Sequence, residues 1–464
     1  MKKHNSLYII LLQIFILMLT SCSPPSLPSD SRSFTEAREV FETTLIRQNT
    51  NDYYIPDPPE GVFDLIYYKS TVGELAAYIS CDPNDSREHP LIIWVAGGWS
   101  GAVSSLPWSY PEWENDQTGS AFRENGILVM YPSFRGANGN PGYHESMYGE
   151  IDDIAAAYEY AASLPYVDSG RIYLGGHSTG GTQSLLTAAY TDKFRAVFSF
   201  GPVDDIQYHR QTEFTFDIKD IEECKMRSPI VWLKDINTRT FIFEGKKGNS
   251  TRLRSIERNS GDNPNIHCYI VKGADHFDIL APITQLLAEK IKNDTTYEDC
   301  SITITMEEIE NARRRTLTEP MPLMVPFRDK SAGLSMIIPA IWGWRLTNDE
   351  SRIMFYSDKD EDNFWDTSIM FLAQYNIEEE MSYDAFVEMV DLSDDFTGRE
   401  EIINGTAAFI LEYLDTVGFN IIAAFQFEGN LTVFTFWIPK EYTDTGKNMF
   451  DMIINSIEFF YNNG

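Results

Sequence analysis

The sequence predicts a doubly wound, largely parallel α/β sheet followed by a smaller α+β domain with an antiparallel sheet. Three observations carry that expectation. Between residues 60 and 295, short aliphatic runs alternate with helix-spaced segments, the order that right-handed crossovers in a parallel sheet require. Leu91-Ile92-Ile93-Trp94-Val95 is apolar at every position, as a strand covered on both faces must be. Beyond the Glu-, Arg- and Pro-rich stretch 301–325 the pattern changes to period-two alternation, which suits an antiparallel sheet.

In chain order, Lys2 and Lys3 precede an apolar run from Leu7 to Leu19, too short to cross a bilayer comfortably. Leu19-Thr20-Ser21-Cys22 follows and resembles the lipobox of bacterial lipoproteins, which implies cleavage before Cys22 and lipidation of that residue. Residues 1–22 are therefore expected to be a signal peptide and 23–50 a Ser- and Pro-rich tether with a leading helix. The helix is expected to start at the Ser33-x-x-Glu36 capping box and to run to Arg47. Residues 51–300 form the α/β domain, 301–325 a linker and 326–464 the second domain.

The first domain opens with a hairpin, Val62 to Tyr68 and Glu74 to Ser80, turned at Gly73. Strands then follow at Leu91 to Val95, Gly126 to Tyr131, Arg171 to Leu174, Ala196 to Phe200, Thr240 to Glu244 and His267 to Val271. Helices fall at Tyr148 to Leu164, after the serine at Thr182 to Ala189, and at Pro282 to Ile291. In such sheets ligands bind beyond the carboxyl ends of the strands. Gly98, Ser178 and His276 each follow a predicted strand.

The chemistry centres on Gly176-His177-Ser178-Thr179-Gly180, a Gly-x-Ser-x-Gly pattern between a buried strand and a small-residue helix. Such a turn lifts the serine hydroxyl clear of the sheet, and the glycines let neighbouring backbones approach. A serine hydroxyl needs an imidazole to take its proton. Of the histidines beyond the elbow, His209 lies in a polar stretch and His267 begins a strand, whereas His276 sits in the loop between the last strand and last helix, where the base belongs. A developing oxyanion needs fixed donors. The backbone N–H of Thr179, at a helix amino terminus, is one candidate, and that of Gly98 or Trp99 is the second. Trp99, Trp108, Tyr110 and Trp113 either roof an acyl pocket or pack beneath a long loop.

Tyr131-Pro132-Ser133-Phe134-Arg135-Gly136, Gly149-Glu150-Ile151-Asp152-Asp153 and the elbow together resemble the catalytic domain of prolyl-oligopeptidase-type α/β-hydrolases over residues 60 to 295. The resemblance implies a Ser, acid, His order and makes His177 a structural residue. It also places Gly97-Gly98-Trp99 where the family has His-Gly-Gly. The sequence departs from the family in two ways: only about forty mature residues precede the domain, and the family's acid position, three residues after the glycine ending the penultimate strand, is Gly248. Glycine cannot accept the imidazole N–H. Glu244, at the end of that strand, is the leading candidate for the acid, with Asp204 and Asp205 as rivals; a Ser-His dyad is the remaining reading.

The second domain shows alternating segments at 353–356, 368–374, 407–413, 420–428 and 430–439, with helices at 382–390 and 446–457. Pro339-x-x-Trp342 and Asn455-Ser456-Ile457 resemble the PsbP-like fold appended to bacterial lipoproteins. Its aromatic residues read as core, with docking of a protein partner as the functional alternative.

With 37 basic and 69 acidic residues the formal net charge is −32, which repels phosphate backbones and argues against nucleic acid as a partner. The acidic runs at 358–362 and 378–380 read as solvated faces, no metal or cofactor is called for, and Cys81, Cys224, Cys268 and Cys300 allow at most one disulfide. The expectation is a serine hydrolase, lipid-anchored on the outer side of a bacterial cell-envelope membrane, acting on a peptide or ester bond through an acyl-enzyme. The alternative is a catalytically silent binding lipoprotein that keeps the scaffold.

Overall fold

The computed structural model describes residues 27–108, 115–296, 299–315, 324–329, 333–339, 342–346, 352–357, 369–377, 381–390, 396–414, 418–439 and 443–460. The expected signal peptide with Cys22, and Tyr110 and Trp113, lie outside the described residues.

The first domain is an eight-stranded sheet. In chain order its strands are β1 (Phe63–Ser70), β2 (Gly73–Ser80), β3 (His89–Val95), β4 (Leu128–Pro132), β5 (Val167–His177), β6 (Val197–Phe200), β7 (Thr240–Gly245) and β8 (Ile266–Val271). Their spatial order is β1-β2-β4-β3-β5-β6-β7-β8. The β1–β2 hairpin joins β4 antiparallel, and every later pairing is parallel. Alternation along β3 explains its unbroken apolarity. Leu91, Ile93 and Val95 pack on one face with Ile151 and Ile154 of α2 (Glu150–Ala162) and Leu185 and Leu186 of α3 (Thr179–Tyr190). The same face receives Leu253 and Ile256 of α4 (Ser250–Asn259). Ile92 and Trp94 pack on the other face with Ile283 and Leu287 of α5 (Leu280–Asn293). Each such buried side chain contributes roughly 1.5–3 kcal/mol of transfer free energy.

The linker expected at 301–325 is corrected over its first part. Residues 306–315 form helix α6 (Met306–Arg315), and Ile302, Ile304 and Ile309 are buried in the core with α5. Thr305 and Glu308 cap the helix reciprocally, Thr305 N–H donating to Glu308 Oε2 at 2.8 Å and Glu308 N–H to Thr305 Oγ1 at 3.2 Å. The charged residues around these isoleucines are the solvent face of an amphipathic segment. Residues 316–323 lie outside the described residues.

The leading helix α1 (Phe34–Val40) starts at the expected capping box but ends before Arg47. Its last residues find better partners in an extended path: Ile46 N–H donates to Thr215 O at 2.7 Å, Thr43 Oγ1 to Glu223 at 2.9 Å and Asn51 N–H to Gly136 O at 2.8 Å. Phe34 packs on Trp232 at 4.8 Å between ring centroids, so this segment is strapped across the domain.

A buried ion pair ties the loop after β4 to α2 and to the end of β1. Arg135 grips Asp153 through Nε at 3.0 Å and Nη2 at 2.9 Å, and reaches Glu145 at 2.7 Å. Ser70 Oγ donates to the same fully buried Asp153. Removing Asp153 takes two of the three short carboxylate bonds from the buried Arg135 guanidinium and leaves it with Glu145. Asp153→Ala is therefore expected to lower unfolding free energy by about 3–5 kcal/mol in urea denaturation, and a loss below about 1 kcal/mol would contradict that role.

In the second domain, β11 (Trp342–Leu346), β12 (Arg352–Ser357), β13 (Ile369–Asn376), β14 (Phe396–Ile403), β15 (Thr406–Leu414), β16 (Gly418–Phe427) and β17 (Asn430–Pro439) form an antiparallel sheet ordered β11-β12-β13-β17-β16-β15-β14. Strands β9 (Met324–Asp329), β10 (Leu334–Pro339) and β18 (Glu458–Phe459) form a small second sheet. Alternation places Ala408 and Ile410 with Phe450 and Ile453 of helix Thr443–Asn455, and Phe409 and Leu411 with Phe386 of helix Tyr383–Val390. The sheet is thus covered on both faces. Strand β14 escapes the sequence reading because it is a largely exposed edge carrying Arg399, Glu400 and Glu401.

Candidate active site

Ser178 occupies the turn between β5 and α3 with φ 56° and ψ −114°. A non-glycine residue held there stores about 1–3 kcal/mol of strain. The turn is pinned by Ser178 N–H donating to Phe200 O at 2.7 Å and by Thr182 N–H donating to Ser178 O at 3.0 Å. Close approach explains the flanking glycines: a Cβ on Gly176 would lie 2.5 Å from Gly180 O, and one on Gly180 would overlap the carbonyl of Val95.

His276 lies in the loop between β8 and α5. The Asp275 carboxylate shapes that loop by accepting Phe277 N–H at 2.8 Å and Asp278 N–H at 3.1 Å, so Asp275 is not an orienting group for the ring. His177 Nε2 donates to His276 O at 3.0 Å, and the two rings stand 4.6 Å apart. Burial first, and the neighbouring His276 second, push the His177 pKa down to about 4, so that ring stays neutral and acts as a spacer. The other histidines are elsewhere engaged: His209 pairs with Glu213 at 2.7 Å and His267 stacks on Phe241.

The structure brings Glu244 to His276. Its Oε2 stands 3.1 Å from His276 Nδ1 and its Oε1 accepts Gly245 N–H at 2.7 Å. The residue is fully buried at the end of β7. Gly248, where the family resemblance looks for an acid, shows why the substitution works. A Cβ there would lie 2.5 Å from Glu244 Oε1 and 2.8 Å from His276 N, so the glutamate carboxylate fills space that a side chain at 248 would need. Asp204 and Asp205 have other partners. Asp204 stands 3.7 Å from Arg252, while Asp205 accepts Gln207 N–H at 2.9 Å and burial raises its pKa.

The candidate oxyanion donors are adjacent. Thr179 Oγ1 donates to Gly98 O at 2.5 Å, tying the loop after β3 to the start of α3. A Cβ on Gly97 would lie 3.3 Å from Ser178 Cβ, which sets the Gly98 and Trp99 backbone beside the elbow. Trp99 is 40% exposed and packs edge-on against Phe214. Trp108 is core, packed on Phe63 and Tyr78.

A cavity of about 320 Å³ opens beside this loop, lined among others by Gly98, Trp99, His144, Glu150, Gln183 and Glu213. Glu150 is 3% exposed, and burial pushes its carboxyl up to about 7. Sequence reasoning missed this cavity, since its wall is assembled from segments far apart in the chain, around Asn49, Gly98, Phe134, His144, Gln183 and Thr215. Among the described residues no cluster of His, Cys, Asp and Glu could hold a metal ion, and Cys81, Cys224, Cys268 and Cys300 are unbridged.

Residues 113–246 match the prolyl oligopeptidase family model. The chain is a serine hydrolase. The chain is also similar to the uncharacterized peptidase YtmA of Bacillus subtilis, 25% identical over 145 residues, or 29% of this chain and 56% of that protein. The chain thus spans about half the length of that relative. Among solved structures, it resembles Porphyromonas gingivalis dipeptidyl peptidase 4 (19% identity, 50% of this chain and 35% of that one, TM-score 0.39). A Pyrobaculum calidifontis esterase is similar at 15% identity over 51% of this chain and 87% of its own, with TM-score 0.39.

Proposed function

We propose that this serine hydrolase cleaves a peptide or ester bond through an acyl-enzyme on Ser178, with His276 as base and Glu244 as the acid that orients it. The contact between Glu244 and His276 Nδ1 carries the reading. It holds the Nδ1–H tautomer and leaves Nε2 to take the Ser178 proton as Oγ attacks the carbonyl. The imidazolium then gives that proton to the leaving group, and a water repeats the sequence to release the acid. The N–H groups of Thr179 and of Gly98 or Trp99 stabilise the oxyanion, a service worth several kcal/mol of barrier. The silent-scaffold alternative drew its support from a missing acid, and Glu244 beside His276 removes that support.

Peptides are the favoured substrates because the family match covers the elbow and the curated relative is named a peptidase. Matched amide and thioester substrates test this. Measurable amide turnover is expected, lost together with thioester turnover in Ser178→Ala, whereas thioester turnover alone would make the protein an esterase.

The apolar run before Leu19-Thr20-Ser21-Cys22 supports export and a lipid anchor at Cys22 in a bacterial cell envelope. Cys22→Ala is expected to move the protein out of the membrane fraction or block its maturation; unchanged membrane retention contradicts the anchor. The second domain is read as a PsbP-like module, supported by its sequence motifs and its α+β sheet, with docking of a protein partner as the functional alternative to a purely structural core.

A further inference from the structure

The cavity beside the oxyanion loop is built for a cation. Glu150 Oε2 is buried without a hydrogen-bond partner, and so is Gln183 Oε1 on the facing helix α3. Glu150 Oε1, by contrast, is fixed by Glu145 N–H at 2.8 Å. Unpaired buried acceptors cost free energy, so both oxygens call for a donor. The surroundings do not supply one. Arg135 is committed to Asp153 and Glu145, and Arg38 to Asp152 at 2.7 Å. Burial holds His144, 4.0 Å from Glu150, toward its neutral form. Arg227, whose charge is felt at Glu145 and Glu150, is committed to Glu223, so the carboxylates Glu145, Glu150, Asp152, Asp153 and Glu223 still outnumber the guanidiniums Arg38, Arg135 and Arg227 here, and Glu213 adds another carboxylate to the cavity wall.

Position decides which part of a substrate enters. Gly98 and Trp99 belong both to the cavity wall and to the loop that faces the elbow, so a carbonyl bound there places its acyl part beside the cavity. His276, which must protonate the leaving group, does not line it.

We propose that this cavity is a subsite for a primary ammonium group in the acyl part of the substrate, received by Glu150 with Gln183 as second acceptor. This rests on the serine hydrolase reading of Ser178. The ammonium comes either from a free amino terminus or from a lysine-like side chain, and the two are distinguished by experiment.

The test uses thiobenzyl esters of Nα-acetyl-norleucine (neutral), norleucine (α-ammonium) and Nα-acetyl-lysine (side-chain ammonium). For the wild-type chain, kcat/KM for one ammonium ester is expected to exceed that of the neutral ester by about 10- to 100-fold, the worth of a charged hydrogen bond. In Glu150→Gln that ratio is expected to collapse toward one. Gln183→Leu, which removes the other acceptor, should lower the same ratio and serves if Glu150→Gln does not fold. A neutral ester as good as both ammonium esters, or a preference that survives both variants, would overturn the subsite. Fluorophosphonate labelling run in parallel separates the two readings. A folded chain that neither labels nor turns over any ester contradicts the role of Ser178. Calorimetric titration with n-butylammonium then decides the subsite alone, binding to wild type but not to Glu150→Gln supporting it and no binding to wild type refuting it.

Discussion

Ser178→Ala is expected to lower turnover by a factor on the order of 10⁴ to 10⁶ while leaving thermal unfolding close to that of the parent chain. The loss is large because the proposed mechanism forms the acyl-enzyme on this hydroxyl, and triad residues act as a unit. The fold survives because the turn is held by backbone bonds, Ser178 N–H to Phe200 O and Thr182 N–H to Ser178 O, which alanine keeps. Replacing the hydroxyl leaves the unusual backbone angles as they are, so the strain remains. Steady-state kinetics on the best thioester, with a melting curve alongside, checks both halves. Residual turnover within about ten-fold of wild type would mean that the nucleophile lies elsewhere.

Glu244→Gln carries the second largest effect, about 10²- to 10⁴-fold in kcat. Glu244 presents one carboxylate oxygen to Gly245 N–H and the other to His276 Nδ1. Glutamine has a single acceptor oxygen. With the backbone N–H of Gly245 fixed, the amide oxygen stays there and the NH₂ faces the ring. Nδ1 must then accept, which puts the ring proton on Nε2 and leaves no lone pair for the serine proton. Asp204→Asn and Asp205→Asn are the controls, since the partners of both lie away from His276. If Glu244→Gln turns over within about three-fold of wild type while Asp204→Asn or Asp205→Asn loses activity, the acid has been misassigned.

Much of this arrangement is legible in the sequence because its constraints are local. The glycines around Ser178 stand at fixed spacing since the backbones of β3, β5 and α3 meet there, and aliphatic runs such as 91–95 mark a sheet covered on both faces. His276 follows from chain order, and Glu244 from the reach of a glutamate at the end of the strand whose usual acid position is Gly248. What the sequence hides is assembled at long range. Glu150 and Gln183 form one cavity wall only after folding, and Glu150 reads in the chain only as part of the Gly149-to-Asp153 segment that carries the family resemblance. Ile302, Ile304 and Ile309 read as isolated apolar residues in a charged stretch until α6 lays them into the core beside α5. The helical spacing that runs on through Phe41 and Leu45 misleads over 41–47, because the bonds of the strap at 41–51 are made by backbone and polar groups to Thr215, Glu223 and Gly136. Strand β14 is charged and exposed because it closes a sheet edge.

The measurement that bears most directly on the triad is fluorophosphonate labelling of the full chain with the adduct mapped by mass spectrometry, in wild type, Ser178→Ala and Glu244→Gln. The account predicts a single adduct on Ser178 in the wild type, none in Ser178→Ala, and labelling of Glu244→Gln slowed by at least about 100-fold, as expected when the base is held in the wrong tautomer. An adduct on another residue, or wild-type labelling rates in Glu244→Gln, would contradict it.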